Sequence, residues 1–221
     1  MTETNKALAP EDLESKRRRL LQYLLEEEEG AEPDLKEQQR IGVRDRSVTL
    51  PLSFAQQRLW VLSHLVDDDS AYNIATALRL TGRLHITALN GAFNELVRRH
   101  EVLRTTFAAL DDQPVQVVSE PSQLDIPIID LRELSFEERE AAIGNLTGED
   151  ALRPFDLEEG PLLRARLVLM SGGGQVLMFG MHHIVSDGWS VGVLKREVAS
   201  LYDAFAGGMP SPLEELEIQY G

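Results

Sequence analysis

The stretch LLRARLVLMSGGGQVLMFGMHH, from Leu162 to His183, decides the fold. Its first nine residues, 162–170, are mostly branched and apolar, and Ser171 with Gly172, Gly173 and Gly174 then supplies a turn. The return segment, QVLMFGMHH over 175–183, is apolar at both parities, where a strand with one wet face would alternate. The pattern predicts a β-hairpin whose second strand is central and buried. Downstream, 189–206 reads as a helix that turns Val193, Leu194, Val198, Leu201, Tyr202 and Phe205 inward and stops at Gly207-Gly208.

Upstream, the signals alternate. Ser135 with Glu138 has capping-box spacing and predicts a helix to about 147, and DIPII at 125–129 reads as a short strand. Strands over 103–109 and 114–118 flank Asp111-Asp112, a hairpin signal. Leu89, Phe93, Leu96 and Val97 fall at helical spacing within 87–100, and 72–82 alternates loosely up to Thr81-Gly82. Ser53 and Gln56 form a second capping box, opening a helix through Phe54, Leu59, Trp60 and Leu62. The order αβαββαββα predicts a mixed α/β sandwich.

The first 46 residues differ. Leu13, Leu20, Leu21, Leu24 and Leu25 form one stripe of a helix expected over 11–29, ended by Gly30, and polar residues with Pro33 follow as a linker over 31–50. Lys16 to Arg19 precede Glu26 to Glu29, an order that opposes the helix dipole. This leader is expected to pack against the rest, to be disordered, or to dock a partner.

Composition narrows the function. The chain has no cysteine, which removes disulfide scaffolds, thiolate metal sites and Cys nucleophiles. Neither a signal peptide nor an apolar run of membrane-spanning length is present, so a cytoplasmic location is the default. A net charge of −15 argues against nucleic acid as a partner. The charge is uneven: 51–100 carries five arginines against four acids, and 101–150 three against twelve.

Of five histidines, at 64, 85, 100, 182 and 183, the last two sit where chemistry is plausible. On a strand His182 shares a face with Val176, Met178 and Gly180, and His183 shares the other with Leu177, Phe179 and Met181. The two imidazoles therefore diverge, which disfavours one shared metal. A neutral imidazole at the end of a buried strand can accept a proton from an attacking amine, hydroxyl or thiol. Both can equally be core histidines. Asp187-Gly188 follows at the turn into the last helix, and Arg98, Arg99 and Arg104 are available to pair a buried carboxylate. No GxSxG elbow, phosphate loop or HExxH spacing occurs.

The segment MHHIVSDGWS, 181–190, resembles the HHxxxDG core motif of nonribosomal peptide synthetase condensation domains. SFAQQRLW at 53–60, RHEVLRTTF at 99–107 and RPFDLEEGPLLR at 153–164 resemble three further motifs of that family, in order. HHxxxDG alone is shared with other acyltransferases of the chloramphenicol-acetyltransferase type; the four together are specific. The resemblance implies a chloramphenicol-acetyltransferase-like α/β sandwich, its N-terminal lobe only, at 47–221, preceded by a helical leader at 1–46.

By position, the resemblance implies that His183 assists attack of the acceptor amine on the donor thioester and that His182 is structural. It implies that Asp187 holds the site through an arginine salt bridge, with Arg99 and Arg104 both available, and that Gly188 lies beside the cleft. It implies no directly bound cofactor or metal, since substrates ride on phosphopantetheine arms of donor and acceptor peptidyl carrier proteins. An L-to-L subtype, a handover from an upstream synthetase subunit through the leader, and a requirement for the remainder of the condensation domain are also implied. The chain stops where the family continues into its second lobe, so it is expected to be a fragment with little or no activity alone. An ester-forming or fatty-acylating relative and a non-catalytic carrier-interaction lobe are the alternatives.

Overall fold

The computed structural model describes residues 49–66, 70–110 and 113–220. The leader helix, its Gly30 stop, most of the linker and the Asp111-Asp112 turn lie outside these residues. The linker's end is described: Leu50–Pro51 forms a short strand, β1.

Helix α1, Phe54–Leu65, starts at the expected capping box. The Gln56 N–H donates to Ser53 Oγ at 3.3 Å, and the Ser53 N–H donates back to Gln56 Oε1 at 3.0 Å. Strand β2, Asn73–Leu80, alternates in burial as an edge strand should. Helix α2, Ile86–Arg99, is followed by a 3-10 turn, Glu101–Arg104, so strand β3 begins only at Thr105 and runs to Leu110. Strand β4 is Gln113–Val118, and β5 is Ile128–Asp130. The expected strand at 125–129 thus starts late: Pro127 has no N–H to donate and contributes only its carbonyl, to the Leu167 N–H. Helix α3, Phe136–Leu152, carries the second capping box and runs a full turn beyond 147.

The hairpin at 162–183 forms as β6, Leu163–Leu169, and β7, Gln175–His182, in antiparallel register from Leu163↔Met181 to Leu169↔Gln175. Gly172 and Gly173 take φ of 74° and 79° in its turn, where a side chain would be strained. Helix α4, Gly188–Ala206, completes the described elements.

Two sheets result. The larger has strand order β2-β7-β6-β5, with β5 parallel to β6 and the other pairs antiparallel; the smaller is β1-β4-β3. All eight residues of β7 are buried, as its two-sided apolarity predicted. Leu177, Phe179 and Met181 face α2 and α4 through Phe93, Leu96, Leu194 and Leu201. Val176 and Met178 face Ile143 of α3. A third cluster, Leu52, Phe107, Phe155, Leu157, Leu162, Ile184 and Val185, packs α1 and the small sheet against the end of β7. The residues just after β7 are therefore held by packing. Among the described residues, no helix is long and apolar enough to cross a membrane.

Candidate active site

Strand β7 ends between two backbones. The His182 N–H donates to Leu162 O at 3.2 Å, and the His183 N–H donates to Tyr72 O at 2.8 Å on the opposite side. Pleating then sends the two imidazoles apart. His182 is 0% exposed and His183 is exposed.

His182 Nδ1 accepts the Ile184 N–H at 3.1 Å, which leaves the proton of the neutral ring on Nε2. The ring lies edge-on to Phe155, with centroids 6.2 Å apart, and 6.3 Å from Tyr72. Burial first, and then the neighbouring His183, lower its pKa to about 4. The Phe155 ring also carries Arg164, whose guanidinium carbon sits 3.6 Å from the ring centroid. Burial, followed by the charge of Arg153, lowers Arg164 to about 10.

The His183 ring has one tautomer fixed by its partner. Nδ1 lies 2.7 Å from Ser186 O, a carbonyl that can only accept, so Nδ1 carries the proton and Nε2 keeps its lone pair. The loop that supplies this carbonyl is tied at every step. The Val185 N–H donates to His182 O at 3.1 Å and Ser186 Oγ donates to the same oxygen at 3.2 Å. Gln56 Nε2 donates to Ile184 O at 3.3 Å, and Gln56 is 2% exposed. One side chain therefore caps α1 and anchors the histidine loop.

Asp187 is the N-cap of α4. Its Oδ1 accepts the Ser190 N–H at 2.7 Å and the Ser190 hydroxyl at 2.6 Å. These bonds hold its carboxyl below the ordinary range, with a smaller contribution from His183. The implied arginine bridge is not formed: among the described residues, no salt bridge involves Asp187. Arg99, 7% exposed, instead places Nε 3.3 Å from Glu197 Oε2 in an ion pair without hydrogen-bond alignment, and donates through Nη1 to Glu214 O. Arg104 pairs with Glu101 at 3.5 Å and donates to Ser119 O. The cause is geometric. Glu197 lies ten residues along α4 from Asp187, about 15 Å of helix, while the cap turns the Asp187 carboxylate back onto Ser190. The motif arginine thus grips the helix that Asp187 begins, well down its length. Arg98 is also paired, with Glu95 at 2.7 Å and Glu215 at 2.5 Å.

Gly188, the first residue of α4, is exposed, and a Cβ built there meets nothing within 4 Å. The space beside it is open, so nothing within the described fold demands glycine. The Ser186 and Ser190 hydroxyls are engaged with His182 O and Asp187, and neither is delivered to His183. The arrangement offers a neutral imidazole with its Nε2 lone pair at an exposed position, equipment for removing a proton from an incoming nucleophile. Gln56, Ser186 and Glu197 are positioning residues that the motif reading passes over. Only Gln56 carried a signal, its place in a capping box.

A family model described as condensation domain matches residues 47–221. The chain is 46% identical over 175 residues to one component of the linear gramicidin synthase of Brevibacillus parabrevis, a match covering 79% of this chain and 2% of that protein. It is 48% identical over 171 residues to chondramide synthase of Chondromyces crocatus, covering 77% and 4%. Among solved structures, the starter condensation domain of rhizomide synthetase aligns with a TM-score of 0.71 at 25% identity, over 77% of this chain and 43% of that chain. The chain spans a few per cent of the length of these curated relatives and less than half of that solved domain.

Proposed function

The chain belongs to the condensation-domain family of nonribosomal peptide synthetases, and from that premise we propose that His183 is the base of an amide-forming acyl transfer. The acceptor amine nitrogen bonds to the carbonyl carbon of the donor thioester, and the carbon–sulfur bond breaks. The amine proton passes to His183 Nε2 and from there to the departing thiolate. One observation carries this reading: the Nδ1–H of His183 is bound to Ser186 O at 2.7 Å, which leaves Nε2 free to take a proton in the neutral ring. His182 then keeps the strand end packed, Asp187 starts α4 in register, and Arg99 and Arg104 hold α2 and its 3-10 turn in place. Gly188 keeps the space beside His183 clear for substrate.

The donor and acceptor in this proposal are an acyl or peptidyl group and an L-aminoacyl group, each on the phosphopantetheine arm of a carrier protein. RHE at 99–101 with HHIVSDGWS at 182–190 supports an L-to-L subtype. Residues 47–221 act as the N-terminal lobe and residues 1–46 as a helical leader through which an upstream protein hands over its product. The reaction tunnel lies between this lobe and a second one, so the 221-residue chain alone turns over little or nothing. The test compares His183→Ala with the unaltered protein, both joined to a second lobe, in a coupling assay with loaded carriers. Coupling falling by about 10²–10⁴-fold with carrier binding intact supports the proposal; unchanged coupling refutes it, as does full turnover by the 221 residues alone.

A further inference from the structure

Strand β2 is an edge of the larger sheet, and its free side carries unpaired backbone groups. The His183 N–H donates to Tyr72 O, and the register of β2 on β7 continues from there, with Ile74 opposite Met181 and Leu80 opposite Gln175. Antiparallel pairs alternate, so Ile74, Thr76, Leu78 and Leu80 turn their N–H and C=O groups to β7, and Ala75, Ala77 and Arg79 turn theirs outward. Among the described residues no backbone bond reaches those outward groups, and Ala75, Ala77 and Arg79 are exposed. The usual protection of an edge is missing. The strand, NIATALRL, has no proline, and its one charge, Arg79, is drawn aside to Glu140 at 2.6 Å.

A groove of about 500 Å³ runs along this edge, between β2 and helix α4. Leu78 and Leu80 line one side and Val198 the other, over a floor of Phe93, Leu177 and Phe179 that is at most 3% exposed. The Tyr202 hydroxyl at its wall already accepts the His85 N–H at 3.0 Å. Arg83 and Lys195 stand exposed at the lips, and among the described residues no hydrogen bond or ion pair engages them. Asp203 is the one acid in the lining, two helical turns or about 12 Å along α4 from Lys195. The lips are thus net positive on a chain of net charge −15.

Edge and groove call for one occupant. An extended peptide added to β2 receives the outward groups of Ala75, Ala77 and Arg79, and its pleat sends every second side chain into the groove beside Leu78 and Leu80. A small amphiphile would fill the groove and leave the edge unpaired; a helix would cover the edge without pairing it. We propose that β2 and α4 form a strand-addition site for an extended, acidic segment of a partner protein, apolar at alternate positions. The floor at Leu177 is six residues of strand, about 20 Å, from His183, so the site serves attachment and is independent of the acyl-transfer reading.

The test titrates the 221-residue protein with a fluorescein-labelled peptide of alternating glutamate and valine, read by anisotropy and by nitrogen-15 NMR. Saturable binding is expected, with slowed amide exchange at Ala77 and Arg79. Two further copies are N-methylated, one at the valines and one at the glutamates. One of them should bind about tenfold or more weakly, through lost backbone bonds, while the other, with its methyls turned to solvent, binds nearly as the parent does. Ala77→Pro removes an outward N–H without touching the bonds to β7 and should weaken binding similarly. Arg83→Glu with Lys195→Glu, both on the surface, should weaken it about tenfold and restore binding to a lysine–valine peptide; circular dichroism checks that these proteins fold. Equal effects of the two methylations overturn the proposal, as does the absence of saturable binding, or a lysine–valine peptide that binds the unaltered protein as tightly. Self-association that slows Ala77 exchange without peptide would assign the edge to a second copy of the chain and overturn it too.

Discussion

His183 Nδ1 lies 2.7 Å from the carbonyl oxygen of Ser186, three residues further along the chain. That contact joins fold to chemistry. The buried β7 brings the backbone to a fixed end point, and Ile184 and Val185 are clamped into a hydrophobic cluster. The loop returns a carbonyl to the ring it has just presented. The imidazole is thereby oriented by backbone, with no carboxylate needed as its partner.

His182 makes stability depend on pH. Its ordinary pKa of 6.5 falls to about 4 in the folded state, so between those values the unfolded chain binds the extra proton. Its contribution is complete above about pH 6.5 and is lost as pH drops toward 4, where the native ring also protonates and the loss ends. The loss is roughly 3 kcal/mol, at 1.36 kcal/mol per unit. Urea melts across pH 7 to 4, with NMR titration of the His182 ring, check it; a native midpoint near the ordinary value contradicts it.

Asp187→Ala removes an N-cap and should cost about 0.5–2 kcal/mol of stability, while Asp187→Asn, which keeps an acceptor for the Ser190 N–H, should stay close to the unaltered protein. The carboxyl is held below its ordinary range, so its charge-dependent contribution is present above that range and lost as pH falls through the depressed value. If Asp187→Asn proved as damaging as Asp187→Ala, charge pairing rather than capping would be the role of this residue.

Glu197→Ala strands the buried guanidinium of Arg99 and frees His100, and the expected loss is about 3 kcal/mol or more. Arg98→Ala removes two exposed ion pairs and should change stability by less than about 1 kcal/mol. Equal effects in denaturant melts would show that Arg99 is not held by α4.

Gly188→Ala separates folding from function. A Cβ there meets nothing within 4 Å, so stability should hold within about 0.5 kcal/mol, the usual range for substitutions away from packed features. Coupling by the same protein joined to a second lobe should fall, because the added methyl enters space the proposal gives to substrate. A melt shifted by several kcal/mol, or coupling at the unaltered rate, would count against that use of the space.

Much of the fold is legible from residues alone. The two-sided apolarity of 175–182 marks a buried central strand, and both capping boxes start helices where their spacing says. The divergence of His182 and His183 follows from strand pleating and is seen in their opposite exposures. Strand pairing beyond the two hairpins is not legible: β5 beside β6 and the addition of β1 to the β4-β3 pair are set by tertiary contacts between distant segments. The partner of Asp187 escapes the sequence for a related reason. An aspartate followed three residues later by serine fits a helix cap as readily as an ion pair, and only the position of α2 along α4 decides that Arg99 meets Glu197.

In the proposed reaction, neutral His183 carries its proton on Nδ1 and presents Nε2 as a base. Nitrogen-15 NMR of the imidazole in the 221-residue protein at neutral pH tests it directly. The expected result is a protonated Nδ1 and an Nε2 resonating as an unprotonated ring nitrogen. A ring protonated on Nε2 instead would contradict it.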